Sequence, residues 1–199
     1  MFKNILKIVV LGILGFSALV YFTASKPNAM VANDVNGTTL SKEALPQNFE
    51  LVGTEGLVAK EELFKDNLAS LIVVGNHDSL AVVKELNRFF ELKIPVVMVA
   101  NISSAPWFVK KMFIPGKLEE LNQESTIPMI YDFDGFTVQA LGVTNNEKTA
   151  FIAYLLDEKG NINKLFEGKV KEGALDGSMN EEEKKAALLP LVEIINSQE

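Results

Sequence analysis

The chain has 199 residues, 19 basic against 26 acidic side chains, a net charge of −7, a single histidine and no cysteine. The missing thiol excludes thiolate nucleophiles, dithiol exchange and disulfide cross-links. The acidity disfavours a phosphate backbone as partner, so nucleic acid is not expected. With 48% hydrophobic residues and thirteen Phe, a domain of this length can be stabilised by packing alone.

In chain order, the first residues pair Lys3 and Lys7 with an uncharged apolar run from Ile8 to Phe22. A positive start followed by a short apolar run is expected of a secretory signal or a membrane anchor. Residues 23–25, Thr-Ala-Ser, offer small side chains for cleavage. The two outcomes, cleaved signal and retained anchor, stay open over residues 1–25. Both place the lysines in the cytoplasm and export the remainder. Residues 26–40 read as a tether and 41–199 as one domain.

Within that domain, residues 49–52 and 56–59 are expected to form a hairpin around Gly53-Thr54-Glu55, followed by a short helix over 61–67. The run 71–74, Leu-Ile-Val-Val, fits a strand buried on both faces. Asp78 is then the expected N-cap of a helix whose apolar stripe is Val82, Val83, Leu86, Phe89 and Phe90. A second buried strand over 96–100 completes a right-handed βαβ unit with parallel strands. Pro106 is expected to open a helix over 107–113, which Pro115-Gly116 should break before a turn or two more over 117–123. A short strand at 129–131, a turn at 132–135 and a helix at 136–141 follow. A strand at 151–156 returns antiparallel at 162–166 through Asp157-Glu158-Lys159-Gly160. Asn180 should cap a final helix rich in acids in its first turn, and Pro190 should kink or divide it.

This order resembles the thioredoxin-like superfamily, in the elaborated form of peroxiredoxins and exported thiol-disulfide proteins. The resemblance runs over about 49–195. It is carried by Ile127-Pro128-Met129-Ile130-Tyr131-Asp132-Phe133-Asp134-Gly135 through Ala140-Leu141-Gly142-Val143, and by Tyr154-Leu155-Leu156-Asp157-Glu158-Lys159-Gly160-Asn161-Ile162. It implies an α/β fold: a three-layer α/β/α sandwich with an N-terminal hairpin, here preceded by the membrane or signal helix. Redox-active members place a cysteine just after the first central strand, where this chain reads Gly75-Asn76-His77-Asp78-Ser79-Leu80. They usually place a cis-proline before the first strand of the late hairpin, where this chain reads Asn145-Asn146-Glu147-Lys148-Thr149-Ala150. Lacking both, it is similar to the cysteine-free, exported thioredoxin-like proteins of unknown function, of which the YtfJ-like family is one.

Five residues stand out as candidate binding residues: His77, Asp78, Ser79, Trp107 and Phe108. His77 could act as a base or ligand beside Ser79, but neighbours so close at a helix start rarely face each other, so a capping and loop role is the simpler expectation. Trp107 and Phe108 are anchors for a protein or a membrane surface if exposed; Met112 and Phe113 continue the apolar helix, which favours a core role. One histidine and scattered methionines do not compose a metal site, and Asp132 and Asp134 are better explained as turn formers. No catalytic residue, cofactor or metal is therefore expected. The leading expectation is a redox-inactive domain of the bacterial periplasm, soluble or anchored to the inner membrane, that binds a protein or assists envelope assembly. The alternative is a thiol-independent enzyme or small-ligand binder built on the His77 loop.

Overall fold

The computed structural model describes residues 40–197. The expected signal or anchor at 1–25, and the tether apart from Leu40, lie outside the described residues. Among the described residues, no helix is long and apolar enough to cross a membrane.

Long β-branched and apolar runs become the middle of one six-stranded sheet, ordered β1-β8-β7-β4-β5-β6. The strands are β1 (Leu40–Ser41), β4 (Ser70–Gly75), β5 (Val96–Ala100), β6 (Met129–Tyr131), β7 (Ala150–Leu156) and β8 (Asn161–Lys169). A separate antiparallel hairpin joins β2 (Asn48–Glu50) to β3 (Leu57–Ala59), with Phe49 opposite Val58. β4 lies parallel to β5, with Val73 opposite Met98, and antiparallel to β7, with Val73 opposite Ala153. The strand order β8-β7-β4-β5, one parallel and two antiparallel pairings, is what makes this fold thioredoxin-like.

Alternation along the buried strands divides the core between two faces. Leu71 and Val73 of β4 pack with Leu80, Val83, Leu86, Leu188 and Leu191. Ile72 and Val74 point the other way, toward Leu45, Phe49, Phe64, Val138 and Leu141. The first face is covered by α2 (His77–Val83), α3 (Leu86–Phe89), α5 (Ile114–Asn122) and α7 (Glu181–Ser197), with α4 (Trp107–Met112) leading into α5. The second is covered by α1 (Lys60–Leu63), α6 (Phe136–Ala140) and the hairpin. The expected three layers are present. The hairpin also protects the β6 edge, since the Val52 N–H donates to the Met129 carbonyl at 2.9 Å and Leu51 bridges to Ile130.

Three helical expectations are corrected. The stripe from Val82 to Phe90 does not lie on one helix. The Glu85 N–H reaches back only to Val82, and the Ser125 hydroxyl donates to the Lys84 carbonyl, drawing it out of the ladder, so the helix re-forms as α3. The helix from Trp107 ends at Met112, before Pro115, but the next begins at Ile114 rather than Lys117, with Pro115 in the first turn of α5, where its missing N–H costs nothing. Pro190 does not divide α7, which runs on through it, with Pro190 on the exposed face of the helix. The expected cap of α7 is present as a reciprocal box: the Glu183 N–H donates to Asn180 Oδ1 and the Asn180 N–H to Glu183 Oε2, each at 2.9 Å.

Candidate functional site

Parallel strands bring their carboxyl ends to one edge of a sheet, and in open α/β sheets ligands bind outside that edge. Here it gathers 76–79 after β4, 101–107 after β5, 132–136 after β6 and 145–149 before β7. They include the loops at 76–79 and 145–149, where the resemblance implied a cysteine and a cis-proline that this chain lacks, and the Trp107 helix start.

The structure closes this region with amide side chains. Asn101 is buried, and its Nδ2 donates to the Asn145 carbonyl at 3.2 Å and to Asn146 Oδ1 at 2.8 Å, while its Oδ1 accepts the Ser103 hydroxyl at 2.8 Å. Asn76 Nδ2 donates to the Asn146 carbonyl at 3.2 Å. The Ser79 N–H is shared between the carbonyls of Asn76, at 2.8 Å, and Lys148, at 3.0 Å. Loops some seventy residues apart are thereby joined with their polar groups satisfied. The cavity left between Gly75, Asn76, Asn101, Asn145 and Phe151 is about 10 Å³, room for one water rather than a substrate.

The five singled-out residues divide. Ser79 is fully buried and is the true partner of the helix start. Its Oγ accepts the Asn76 N–H at 2.8 Å, and its hydroxyl donates to the Asn76 carbonyl at 2.7 Å. Asn76, not Asp78, is therefore the N-cap. Asp78 is buried and accepts the N–H groups of Gly173 and Leu175, each at 3.0 Å, pinning the strap that follows β8. Burial pushes the Asp78 carboxyl up, but those two amides and His77 outweigh it and hold the group below the usual carboxylate range. His77 is half-exposed, with Nδ1 3.7 Å from Asp78 Oδ1. Its φ of 30° places a non-glycine residue in the left-handed region at the tip of the edge. Ser79 is committed to the cap and Asp78 to the strap, so neither is free to act with His77 as a nucleophile or its base.

The core expectation for Trp107 fails: the residue is 54% exposed, and Met112 and Phe113 are 73% and 60% exposed. Phe108 is half-buried. Lys110 instead takes a buried place on α4. Its Nζ donates to the Phe133 carbonyl at 2.9 Å, and its own carbonyl accepts the Tyr131 hydroxyl. Burial lowers the Lys110 pKa, opposed by Asp134 and Asp132. Burial also raises Tyr131 to about 12 and raises Asp132, although Asp132 accepts the Val138 and Thr137 N–H groups at 2.8 and 3.1 Å. Asp132 is thus the anchor of α6, a turn-forming acid as expected. Phe136, beside it on the edge, is 60% exposed. Asn101, Lys110 and Phe136 were not among the expected site residues. Asn101, directly after β5, had a signal in its position at a strand's carboxyl end; the other two had none.

No family model matches the chain, and no curated protein matches it. Several solved structures do. An uncharacterized conserved protein from Geobacillus kaustophilus is similar at 16% identity and a TM-score of 0.46, over 79% of this chain and 84% of that one. A cysteine-to-serine mutant of peroxiredoxin 6 from Arenicola marina is similar at 13% identity and a TM-score of 0.45, over 81% of this chain and 74% of that one. MTB dsbF is similar at 14% identity and a TM-score of 0.42, over 73% of this chain and 96% of that one.

Proposed function

We propose that this chain is a redox-inactive, exported thioredoxin-like domain that binds another protein of the cell envelope through the carboxyl edge of its sheet. The observation that carries the reading is the Asn76–Asn101–Asn146 network. The place where this fold keeps reactive groups is filled by mutually satisfied amides around a one-water cavity, while His77 and Phe136 stand outward on either side of it. A surface of that form can be recognised, but it encloses nothing and activates nothing. His77 and Phe136 follow strands two apart in the sheet, so about 10 Å separates their strands, a span one peptide segment can cover.

Export rests on the sequence of residues 1–25, which puts the domain in the periplasm, free or held at the inner membrane. An alkaline phosphatase fusion after Asp34 is active only if this is correct.

The binding reading is tested by placing a photo-cross-linking amino acid at His77, at Phe136 and, as a control on the far side of the domain, at Lys185 in the full chain expressed in cells. Reproducible adducts from the two edge positions and none from Lys185 are expected. No adducts at the edge, or the same adducts from all three positions, overturn it.

A further inference from the structure

The Trp107 segment calls for a separate account, because its chemistry differs from that of the edge beside it. From Ser103 to Leu118 the chain has no acid in a protein of net charge −7. Along the same stretch Trp107, Met112 and Phe113 are exposed, and so are Lys111 and Lys117. Lys111 Nζ lies 5.6 Å from the centre of the Trp107 ring. Beneath them α5 turns Leu118 into the core, so the exposed groups stand on a fixed support.

We propose that residues 107–117 dock on an anionic phospholipid surface, with Trp107, Met112 and Phe113 entering the headgroup and acyl boundary and Lys111 and Lys117 pairing with lipid phosphates. A short amphipathic segment that combines bulky apolar side chains with lysines is the composition of an interfacial anchor. Lysine stems add to the apolar contact while their ammonium groups stay with the headgroups. A protein partner fits the same segment less well, because lysine is depleted at protein interfaces, where arginine supplies the cations. The acidic remainder of the chain is repelled by anionic lipid, so attachment has to be local. Exposed Glu119 and Glu120 mark its limit along α5, and exposed Asp134 lies near its start. The apolar run at 8–22, if retained as an anchor, brings the domain to the same surface; the docking does not depend on which protein the carboxyl edge binds.

Trp107 is the only tryptophan, so its fluorescence reports on this segment alone. The full chain is reconstituted into phosphatidylcholine vesicles with and without phosphatidylglycerol, each carrying bromine-labelled acyl chains. Residues 1–25 are present in every arm and contain no tryptophan, so the emission and its quenching report on the Trp107 segment. Expected is a blue-shifted, bromine-quenched emission in the phosphatidylglycerol vesicles only. It is lost at about 1 M salt, where screening shortens to about 3 Å, and lost in the double variant Lys111→Glu/Lys117→Glu. Emission typical of water-exposed tryptophan in phosphatidylglycerol vesicles overturns the proposal. So does quenching that is equal in both lipids, or that survives both salt and charge reversal. Emission that stays water-exposed with lipid but shifts when envelope proteins are added assigns the segment to a protein and also overturns it.

Discussion

Asp78 shows how a residue at a reactive position can serve structure instead. Two backbone N–H groups from the strap after β8 end on its buried carboxylate. Asp78→Ala leaves both without an acceptor and should cost roughly 2–4 kcal/mol in urea unfolding. The pH dependence has a definite sign. The folded carboxyl titrates below its unfolded value of about 3.9, so its contribution is complete above that value and is lost as pH falls through the folded pKa. The stability gap between the native chain and Asp78→Asn should therefore narrow on acidification. Asp132 has the opposite sign, because burial raises its carboxyl. Its penalty is absent in acid, grows as pH climbs above the ordinary carboxylate value and is complete above the folded pKa. The gap opened by Asp132→Asn should be largest in acid and shrink toward neutrality. Urea titrations of the three proteins across this range check both slopes, and parallel pH profiles for the two variants would contradict the assignments.

At the scale of elements, the network at the carboxyl edge joins three loops distant in the chain through amide side chains. Replacing Asn101 by Ala removes its bonds to Asn145, Asn146 and Ser103. Amides of 145–149 should then exchange with solvent about tenfold or more faster, as loss of one to two hydrogen bonds implies, while those of β4 and β5 hold. In the late hairpin, Gly168 sits where an added Cβ would meet Phe151 Cζ at 2.5 Å and Phe166 Cε1 at 2.6 Å. Gly168→Ala should cost about 1–3 kcal/mol by overpacking those rings, read as a lower urea midpoint with an unchanged slope. Elements set by local composition were legible: the runs Leu71-Ile72-Val73-Val74 and Val96-Val97-Met98-Val99-Ala100 are strands because both faces of each are buried, and Asn180 with Glu183 forms its box within one turn. Elements decided by distant contacts were not. The break before α3 depends on Ser125, the role of Asp78 on a strap almost a hundred residues later, and the exposure of Trp107 on Lys110 being drawn inward by Phe133 and Tyr131.

For the molecule as a whole, a thioredoxin-like scaffold keeps its strand order and both core faces while the loops at its carboxyl edge become a closed amide surface. The sequence made the missing chemistry legible, because the absence of cysteine is read from composition. It could not disclose what replaced that chemistry, since Asn76, Asn101 and Asn146 acquire meaning only when the sheet brings them together. The charge is divided along the chain as well, with a net charge of −7 overall and no acid from Ser103 to Leu118. The most direct test of action by contact rather than chemistry is turnover by the purified full chain against peroxide, dithiol and ester substrates, with His77→Ala alongside. The account predicts rates no higher than buffer for both proteins. Turnover that is present in the native chain and abolished in His77→Ala would contradict it.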